Sequence, residues 1–262
     1  MYGLSKSSQY YYLSESIMLK EYPAQLHREN RSTFSPARRN ARLKRTEHFL
    51  KLDLPNLFEM ADRLGGQPVP DLTMTEAEFV DWCPDDLRAE WVDGRVILMS
   101  PSNVDHDDLN TWFTTMMRTF VEESESGRIF HDLTIRLADQ RRRRVPDLMF
   151  VATHRLNLLK KTYLVGPPDL LIEIVSPDSQ SRDRREKYLE YEKAGVREYW
   201  IVDPLSQTVE VSRLERKKFH RLEETAGVIS STVLRGFRIK TAQLWQKPLP
   251  KVSGVLKWMT KK

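Results

Sequence analysis

The stretch DLLIEIVS, residues 169–176, places one acidic side chain, Glu173, in the middle of an otherwise apolar run. Such a run is typical of a central β-strand that is covered on both faces. The stretch VPDLMFVA, residues 145–152, is a second apolar strand, which begins with Pro146 and Asp147. A buried carboxylate needs a cation or a hydrogen-bond network. The two stretches therefore predict a sheet that carries acidic side chains into the interior.

Helical and strand patterns alternate around these two stretches. Apolar residues recur at helical spacing over residues 107–123, and a charged helix is predicted over 181–194, with Gly195 as its C-cap. A shorter helix is predicted to begin after Thr75 with a capping box and to end near Pro84. Further strands are predicted at residues 89–99 (as a hairpin or a bent strand), 128–137, 198–203, 208–214 and 218–222, with 234–244 closing the domain. This order predicts an α/β fold with a central mixed β-sheet flanked by helices.

Composition indicates a globular protein and excludes a membrane-spanning one. The 262 residues are 40% hydrophobic and 30% charged, and no apolar run reaches the length of about 20 residues that spans a bilayer. The single cysteine, Cys83, excludes an intramolecular disulfide and a cysteine-rich zinc site. The N-terminal sequence lacks the pattern of a secretory signal, and we therefore expect a cytoplasmic protein.

The chain is expected to divide into four parts. They are a disordered basic extension (residues 1–59), a linker (60–72), the main folded domain (73–247) and a basic C-terminal tail (248–262). The extension holds ten Lys or Arg against six Asp or Glu, which leaves only +1 of the net charge of +5 for the rest of the chain. The net charge is therefore no evidence for nucleic-acid binding by the domain. The extension is either an arm that contacts phosphates or an irrelevant sequence ahead of a start at Met60.

Asp147 and Glu173 could form one oxygen-rich site. Two carboxylates on neighbouring strands suit Mg²⁺ or Mn²⁺, which prefer oxygen ligands and keep several waters. Such a site is typical of metal-assisted hydrolysis. The alternative is that Asp147 is an ordinary residue at the start of a strand and that Glu173 pairs with an arginine such as Arg136.

Five motifs follow one another in an order that indicates a family. They are EWVDG with Glu90, SPS followed by His106, PD at residues 146–147, EIVSPDS from Glu173, and DRREKYLEYEKAGVREYWIVDP from Asp183 to Pro204. Over about residues 73–245, this order resembles the Uma-two family, which belongs to the PD-(D/E)XK nuclease superfamily. The last motif is the most specific part of the resemblance.

The resemblance implies a restriction-endonuclease-like core and phosphodiester hydrolysis assisted by a divalent metal. Asp147, Glu173 and Glu90 are the implied metal ligands, with Mg²⁺ as the cofactor and Mn²⁺ as a substitute. Nucleic acid is the implied substrate, and DNA is expected before RNA. A homodimer is expected if the enzyme cuts both strands of a duplex.

The strand signature lacks its lysine, because the second residue after Glu173 is Val175. Lys187 matches the family's helix position and is therefore predicted to assist the attacking water from the helix. The alternative is a solvated lysine that pairs with Glu186 or Glu190. The missing strand lysine also leaves open a second function, a catalytically weakened nucleic-acid-binding or interaction protein of the same fold.

The other candidate site residues have narrower support. Glu90 either completes the metal site, as the resemblance implies, or is a solvated residue at a strand edge. His106 either contacts phosphate and transfers protons or caps the helix that follows it. Asp183 precedes Lys187 by one helical turn, and we expect an ion pair that orients the lysine. The arginine run 141–144 either contacts a nucleic-acid backbone or forms a solvated hairpin tip, and the second interpretation is slightly favoured.

Overall fold

A computed structural model describes residues 60–64, 66–83, 87–176, 182–224 and 227–260. All of them lie in a unit that spans residues 46–262. The extension predicted over residues 1–59 and the start of the charged helix at Ser181 lie outside the described residues.

The described part of the chain alternates short strands with a few helices. Its first elements are β1 (Pro68–Thr73), α1 (Glu76–Trp82), β2 (Ala89–Val92), β3 (Arg95–Leu98), α2 (Val104–Ser124), β4 (Gly127–His131), β5 (Thr134–Leu137), β6 (Arg142–Arg144) and β7 (Leu148–Ala152). They are followed by β8 (Tyr163–Val165), β9 (Leu170–Ile174), a π-helical turn (Arg182–Lys187), α3 (Tyr188–Ala194), β10 (Glu198–Asp203), β11 (Thr208–Glu215), β12 (Lys218–Glu224), β13 (Val228–Ser230), β14 (Arg238–Lys240) and α4 (Val252–Thr260).

The strands form two six-stranded sheets and one two-stranded ribbon. The first sheet has the order β1-β3-β2-β6-β5-β8, the second has the order β12-β11-β10-β9-β7-β4, and β13 pairs with β14. In each large sheet one pair is parallel, β5 with β8 and β9 with β10, and the other pairs are antiparallel. The predicted mixed α/β fold is confirmed, with two large sheets in place of one.

The chain passes between the two large sheets five times, after β3, β4, β6, β7 and β8. The single strand predicted over residues 128–137 is wrong for this reason. It divides at Asp132, whose φ of 52° turns the chain from β4 in the second sheet to β5 in the first. Aspartate adopts this left-handed conformation more readily than most residues, because its short polar side chain can hydrogen-bond locally.

Local signals near the start of the domain agree with the structure. The capping box of α1 is present, because Thr75 Oγ1 accepts from Glu78 N–H at 3.3 Å and Glu78 Oε2 accepts from Thr75 N–H at 2.8 Å. The predicted hairpin of β2 and β3 turns at Asp93 and Gly94, whose φ values of 51° and 94° suit a tight two-residue turn. This hairpin places Glu90 in the middle of the first sheet.

The second sheet lies between two groups of helical side chains. On one face, α2 packs Trp112, Phe113, Met116 and Met117 into a cluster with strand residues such as Trp200. Each such fully buried side chain stabilises the fold by about 1.5–3 kcal/mol. The other face packs against α3. Every residue of β9 is buried, as predicted for a central strand.

Two segments outside the predicted domain have regular structure. Residues 60–72, predicted as a linker, include a helical turn at 60–64 and most of β1, which pairs with β3. The prolines of β1 fit its place at the edge of the first sheet. Residues 248–262, predicted as a tail, include α4, which places Val255 and Met259 in the core. No helix among the described residues is long and apolar enough to cross a membrane.

Candidate active site

A cavity of about 230 Å³ opens beside the N-terminus of α2. We call it the acidic cavity because three carboxylates line it, although the cations of Arg88, Arg182 and Lys187 line it as well. Five of the six predicted site residues line it, namely His106, Asp147, Glu173, Asp183 and Lys187. Glu90 lies deeper, with Oε1 3.9 Å from Lys187 Nζ. The structure therefore brings together side chains that are far apart in the sequence.

Asp147 directly precedes β7 and is held from two sides. Its Oδ2 accepts a hydrogen bond of 2.7 Å from the backbone N–H of Ile174 and lies 3.2 Å from His106 Nε2. Its Oδ1 lies 3.8 Å from Arg88 Nη2. Burial raises the pKa of Asp147, but the His106 hydrogen bond and charge and the Lys187 charge outweigh it and lower the pKa below its ordinary value. The carboxylate is thus ionised and fixed in orientation.

Glu173 lies in the middle of β9 with its side chain only 3% exposed. Its Oε1 accepts a 2.9 Å hydrogen bond from the Tyr191 hydroxyl, and its Oε2 lies 3.0 Å from Lys187 Nζ. It does not pair with Arg136, which binds Glu76 instead. Burial raises the pKa of Glu173, and the negative charges of the neighbouring carboxylates raise it further. Together these effects outweigh the charge of Lys187, which lowers the pKa, so that the pKa is about 8.

Lys187 ends the π-helical turn and is 1% exposed, so it is not a solvated lysine. Its Nζ lies 3.0 Å from Glu173 and, as the four-residue spacing predicts, 3.2 Å from Asp183. Burial lowers the pKa of Lys187, but the charges of Glu173, Asp183 and Glu90 outweigh it and raise the pKa above its ordinary value. Val175, at the strand position that could carry a lysine, belongs to the apolar core. The cation therefore reaches Glu173 from the helix.

Glu90 is fully buried behind Lys187, and it is not a solvated edge residue. Its Oε2 accepts a 2.7 Å hydrogen bond from Arg144 Nη1, and its Oε1 accepts one of 3.1 Å from the Val145 N–H. Burial raises the pKa of Glu90, but the charges of Arg144, Lys187 and Arg182 outweigh it and lower the pKa to about 2. Both oxygens of this carboxylate are engaged within the protein.

Arg144 is one of the site residues that the sequence did not reveal. It is fully buried, so the prediction of a solvated hairpin tip is wrong for this member of the arginine run. It joins Glu90 to Glu190, whose carboxylate accepts two hydrogen bonds of 2.8 Å from Arg144 Nε and Nη2. A buried arginine with two carboxylate partners satisfies the rule that buried charges are paired. The one signal in the sequence that Arg144 lies near the site was its position directly before the VPD strand.

The His106 side chain faces the cavity and does not cap α2, because Asn103 is the N-cap. The Asn103 side chain accepts a 2.9 Å hydrogen bond from the His106 backbone N–H, and this leaves the imidazole directed at Asp147. Burial lowers the pKa of His106, but the hydrogen bond and charge of Asp147 outweigh it and raise the pKa above its ordinary value. Asn103 therefore caps α2, and the interpretation of His106 as the helix cap is wrong.

Two arginines at the cavity carry donors without partners. Arg88 contacts Asp132 at 2.5 Å, yet its buried Nε has no hydrogen-bond partner among the described residues. Arg182 donates to the Gly66 carbonyl through Nη1, and its Nε likewise lacks a partner in the described part of the chain. Both line the acidic cavity. The sequence motifs did not point to either residue.

Residues 76–242 match the model of the Uma2 family, described as "Putative restriction endonuclease". The chain belongs to the Uma2 family. A crystal structure of "a putative nuclease belonging to DUF820", from Anabaena variabilis ATCC 29413, is similar in fold, with a TM-score of 0.56 and 21% sequence identity. The similarity covers 66% of this Uma2 chain and 97% of that chain. No curated protein matches the chain. The resemblance to the Uma-two family and the predicted nuclease-like fold are confirmed.

The cavity of this Uma2 chain fits a metal ion that keeps most of its waters. Within the described residues, no three His, Cys, Asp or Glu side chains are arranged to hold a metal. Asp147 and Glu173 nevertheless both line the cavity, and Mg²⁺ is usually held by one or two carboxylates together with water and substrate phosphates. Glu90 is already bound to Arg144 and does not line the cavity. The donor set is therefore two carboxylates.

Proposed function

We propose that this chain is a metal-dependent endonuclease that hydrolyses phosphodiester bonds in DNA. The observation that carries the proposal is the meeting of Asp147, Glu173 and Lys187 at one cavity, with Lys187 Nζ 3.0 Å from Glu173 Oε2. The description of the Uma2 family supports the same reaction. Two carboxylates and a cation beside a recess are the parts that phosphodiester hydrolysis requires.

Asp147 and Glu173 would hold Mg²⁺, and Mn²⁺ would replace it. When bound, the metal polarises the phosphate and lowers the pKa of a coordinated water. The chain contributes the orientation of both ligands. The Ile174 N–H and His106 hold Asp147, and the Tyr191 hydroxyl holds Glu173. Such supporting hydrogen bonds typically matter almost as much as the ligands themselves.

Lys187 would hold the attacking water and the phosphate from the helix side. Its Nζ is kept in place by Asp183 at 3.2 Å and by Glu90 at 3.9 Å. Because Glu90 does not line the cavity, we assign it a positioning role and assign metal binding to the two cavity carboxylates. A fixed cation stabilises developing negative charge better than a mobile one, since it needs no reorganisation during the reaction.

Arg88 and Arg182 would contact the substrate backbone at the cavity. Both side chains line the cavity, and a phosphate oxygen is a suitable acceptor for a guanidinium donor. Contacts of this kind position a nucleic acid without reading its sequence. His106 would hold a proton at Nε2 against Asp147 during substrate entry.

A cleavage assay with a matched control tests the proposal. Purified chain with Mg²⁺ or Mn²⁺ is incubated with duplex, single-stranded and branched DNA and with RNA, alongside Asp147→Asn and Asp169→Asn. Asp169 is a buried aspartate, 1% exposed against 7% for Asp147, that binds Arg155 and lies outside the cavity. We expect Asp147→Asn to lose about 100-fold or more in cleavage, and Asp169→Asn to retain it when folded.

Two outcomes would overturn the proposal. One is equal cleavage by the wild type and Asp147→Asn. The other is binding of nucleic acid without cleavage under any metal condition, which would support the weakened binding protein instead.

A further inference from the structure

A groove lined by four apolar and three polar residues adjoins the acidic cavity. It has a volume of about 430 Å³, which falls within the range of about 300–1,000 Å³ that is usual for ligand sites. It shares Asn103 and His106 with the cavity, so the two spaces lie side by side. Its remaining lining is Val104, Asp105, Val175, Pro204 and Leu205.

Val104 and Leu205 are exposed apolar side chains on this groove. Val104 is 77% exposed and Leu205 is 61% exposed, although an apolar side chain gains from burial. Single exposed apolar residues are common on protein surfaces. Val104 and Leu205, however, line the same groove beside the candidate active site, so one ligand could cover both side chains.

The elements that carry these two side chains are held by hydrogen bonds. Val104 is the first residue of α2, which Asn103 caps. Leu205 lies in the turn after β10, where Asp203 Oδ1 accepts from the Leu205 and Ser206 backbone N–H groups at 2.9 and 3.1 Å. Asp203 is in turn bound by Arg184 at 2.8 Å. The groove is therefore present before a ligand binds.

The charge of the groove favours a base over a phosphate. Asp105 is bound by Lys247 at 2.6 Å, and His106 Nε2 lies 3.2 Å from Asp147, so the charged groups on the lining already have partners. The two arginines whose Nε has no partner among the described residues line the acidic cavity instead. A phosphate therefore suits the cavity, whereas an uncharged planar group suits the groove.

We propose that the groove between Val104 and Leu205 holds an unpaired nucleobase next to the phosphate in the acidic cavity. The substrate class is then a single-stranded or locally unpaired nucleic acid. A duplex keeps its bases stacked and paired, and turning one outward costs a few kcal/mol, whereas an unpaired strand presents bases freely. Such an enzyme cuts one strand at a time and does not require the predicted homodimer. The inference rests on the proposed function.

Binding measurements test the groove separately from catalysis. Fluorescence anisotropy of the full chain, with Ca²⁺ in place of Mg²⁺, measures the affinity for a labelled DNA strand, the same strand as a duplex, and an RNA strand of the same sequence. We expect the DNA strand to bind about ten-fold tighter than the duplex. The RNA arm decides which backbone the site prefers.

Substitutions of the two exposed side chains test whether the base binds in the groove. Leu205→Ser and Val104→Ser should each weaken strand binding about five-fold and change duplex binding little. The matched controls are Leu222→Ser and Val228→Ser, since these residues are about half exposed and line neither space. A set of strands is prepared, each of which lacks one base at a different position. For one of these strands, Leu205→Ser should no longer weaken binding.

The outcomes distinguish this inference from the proposed function. Equal or tighter duplex binding, or Leu205→Ser behaving like Leu222→Ser, would overturn the base groove and leave metal-dependent cleavage intact. Strand preference that depends on Leu205 in a chain that never cleaves would support the groove and overturn the nuclease. Absence of binding to any strand or duplex would overturn both.

Discussion

Replacing Lys187 with methionine removes one cation from a buried group of acids while keeping the length of the side chain. Lys187 Nζ lies 3.0 Å from Glu173 and 3.2 Å from Asp183, and all three side chains are nearly inaccessible to water. Removing one partner of a buried ion pair typically costs about 3–5 kcal/mol. Below pH 8 Glu173 already carries a proton, so Asp183 is the carboxylate that loses its cation, and we expect a loss of about 3 kcal/mol in the free energy of unfolding.

The same change should strengthen metal binding. A lysine beside Glu173 repels a divalent ion about twice as strongly as it repels a proton, because the interaction is proportional to charge. Without the lysine, Mn²⁺ therefore gains more affinity than the competing proton does. We expect Lys187→Met to bind Mn²⁺ at least about ten-fold more tightly, while cleavage falls about 100-fold or more. A lysine that only stabilises the fold would not produce these opposite changes.

Isothermal titration calorimetry with Mn²⁺ measures the affinity, and a gel assay measures cleavage. Lys193→Met is the matched control, because it removes a lysine from α3 that does not line the acidic cavity. Circular dichroism establishes that each variant is folded. A folded Lys187→Met chain that binds Mn²⁺ no better than the wild type, or still cleaves normally, would refute the assigned role.

Three further predictions concern acid–base balance and local stability. Mn²⁺ binding should strengthen as the pH rises towards about 8 and should release a proton, because Glu173 must be ionised to bind metal. Calorimetry in two buffers with different ionisation enthalpies measures the released proton. An affinity for Mn²⁺ that does not change with pH would contradict the prediction. Glu90 has a folded-state pKa of about 2, below the value of about 4.3 for an unfolded chain, so it contributes about 3 kcal/mol of stability above pH 4.3 that is lost as the pH falls towards 2. Urea unfolding at a series of acidic pH values should show this loss in the wild type and a smaller pH dependence in Glu90→Gln. Thr75→Ala should cost about 1 kcal/mol in the same assay, whereas Thr75→Ser should cost little, because only the alanine removes the cap of α1.

Features set by neighbouring residues could be predicted from the sequence. The capping box at Thr75 and the turn at Asp93 and Gly94 depend on side chains within three residues of each other. The buried strand around Glu173 was recognisable from its own apolar run. In each case the decisive interactions are local, so the sequence contains the whole signal.

Features set by distant pairing could not be predicted in this way. The segment 128–137 has one continuous strand pattern, and its division depends on partners in two different sheets. Arg144 is separated in sequence from Glu90 by 54 residues and from Glu190 by 46, so nothing in its own neighbourhood indicates that it is buried. A run of four arginines is usually solvated, and only the three-dimensional arrangement identifies the member that is not.

The passage of the chain from β6 to β7 has a consequence for how the molecule opens. Only Val145, Pro146 and Asp147 separate a strand of the first sheet from a strand of the second. Lys187 contacts Glu90 in one sheet and Glu173 in the other. Lys187 therefore opposes separation of the sheets, and amide hydrogen exchange should become faster in β2, β6, β7 and β9 together in Lys187→Met.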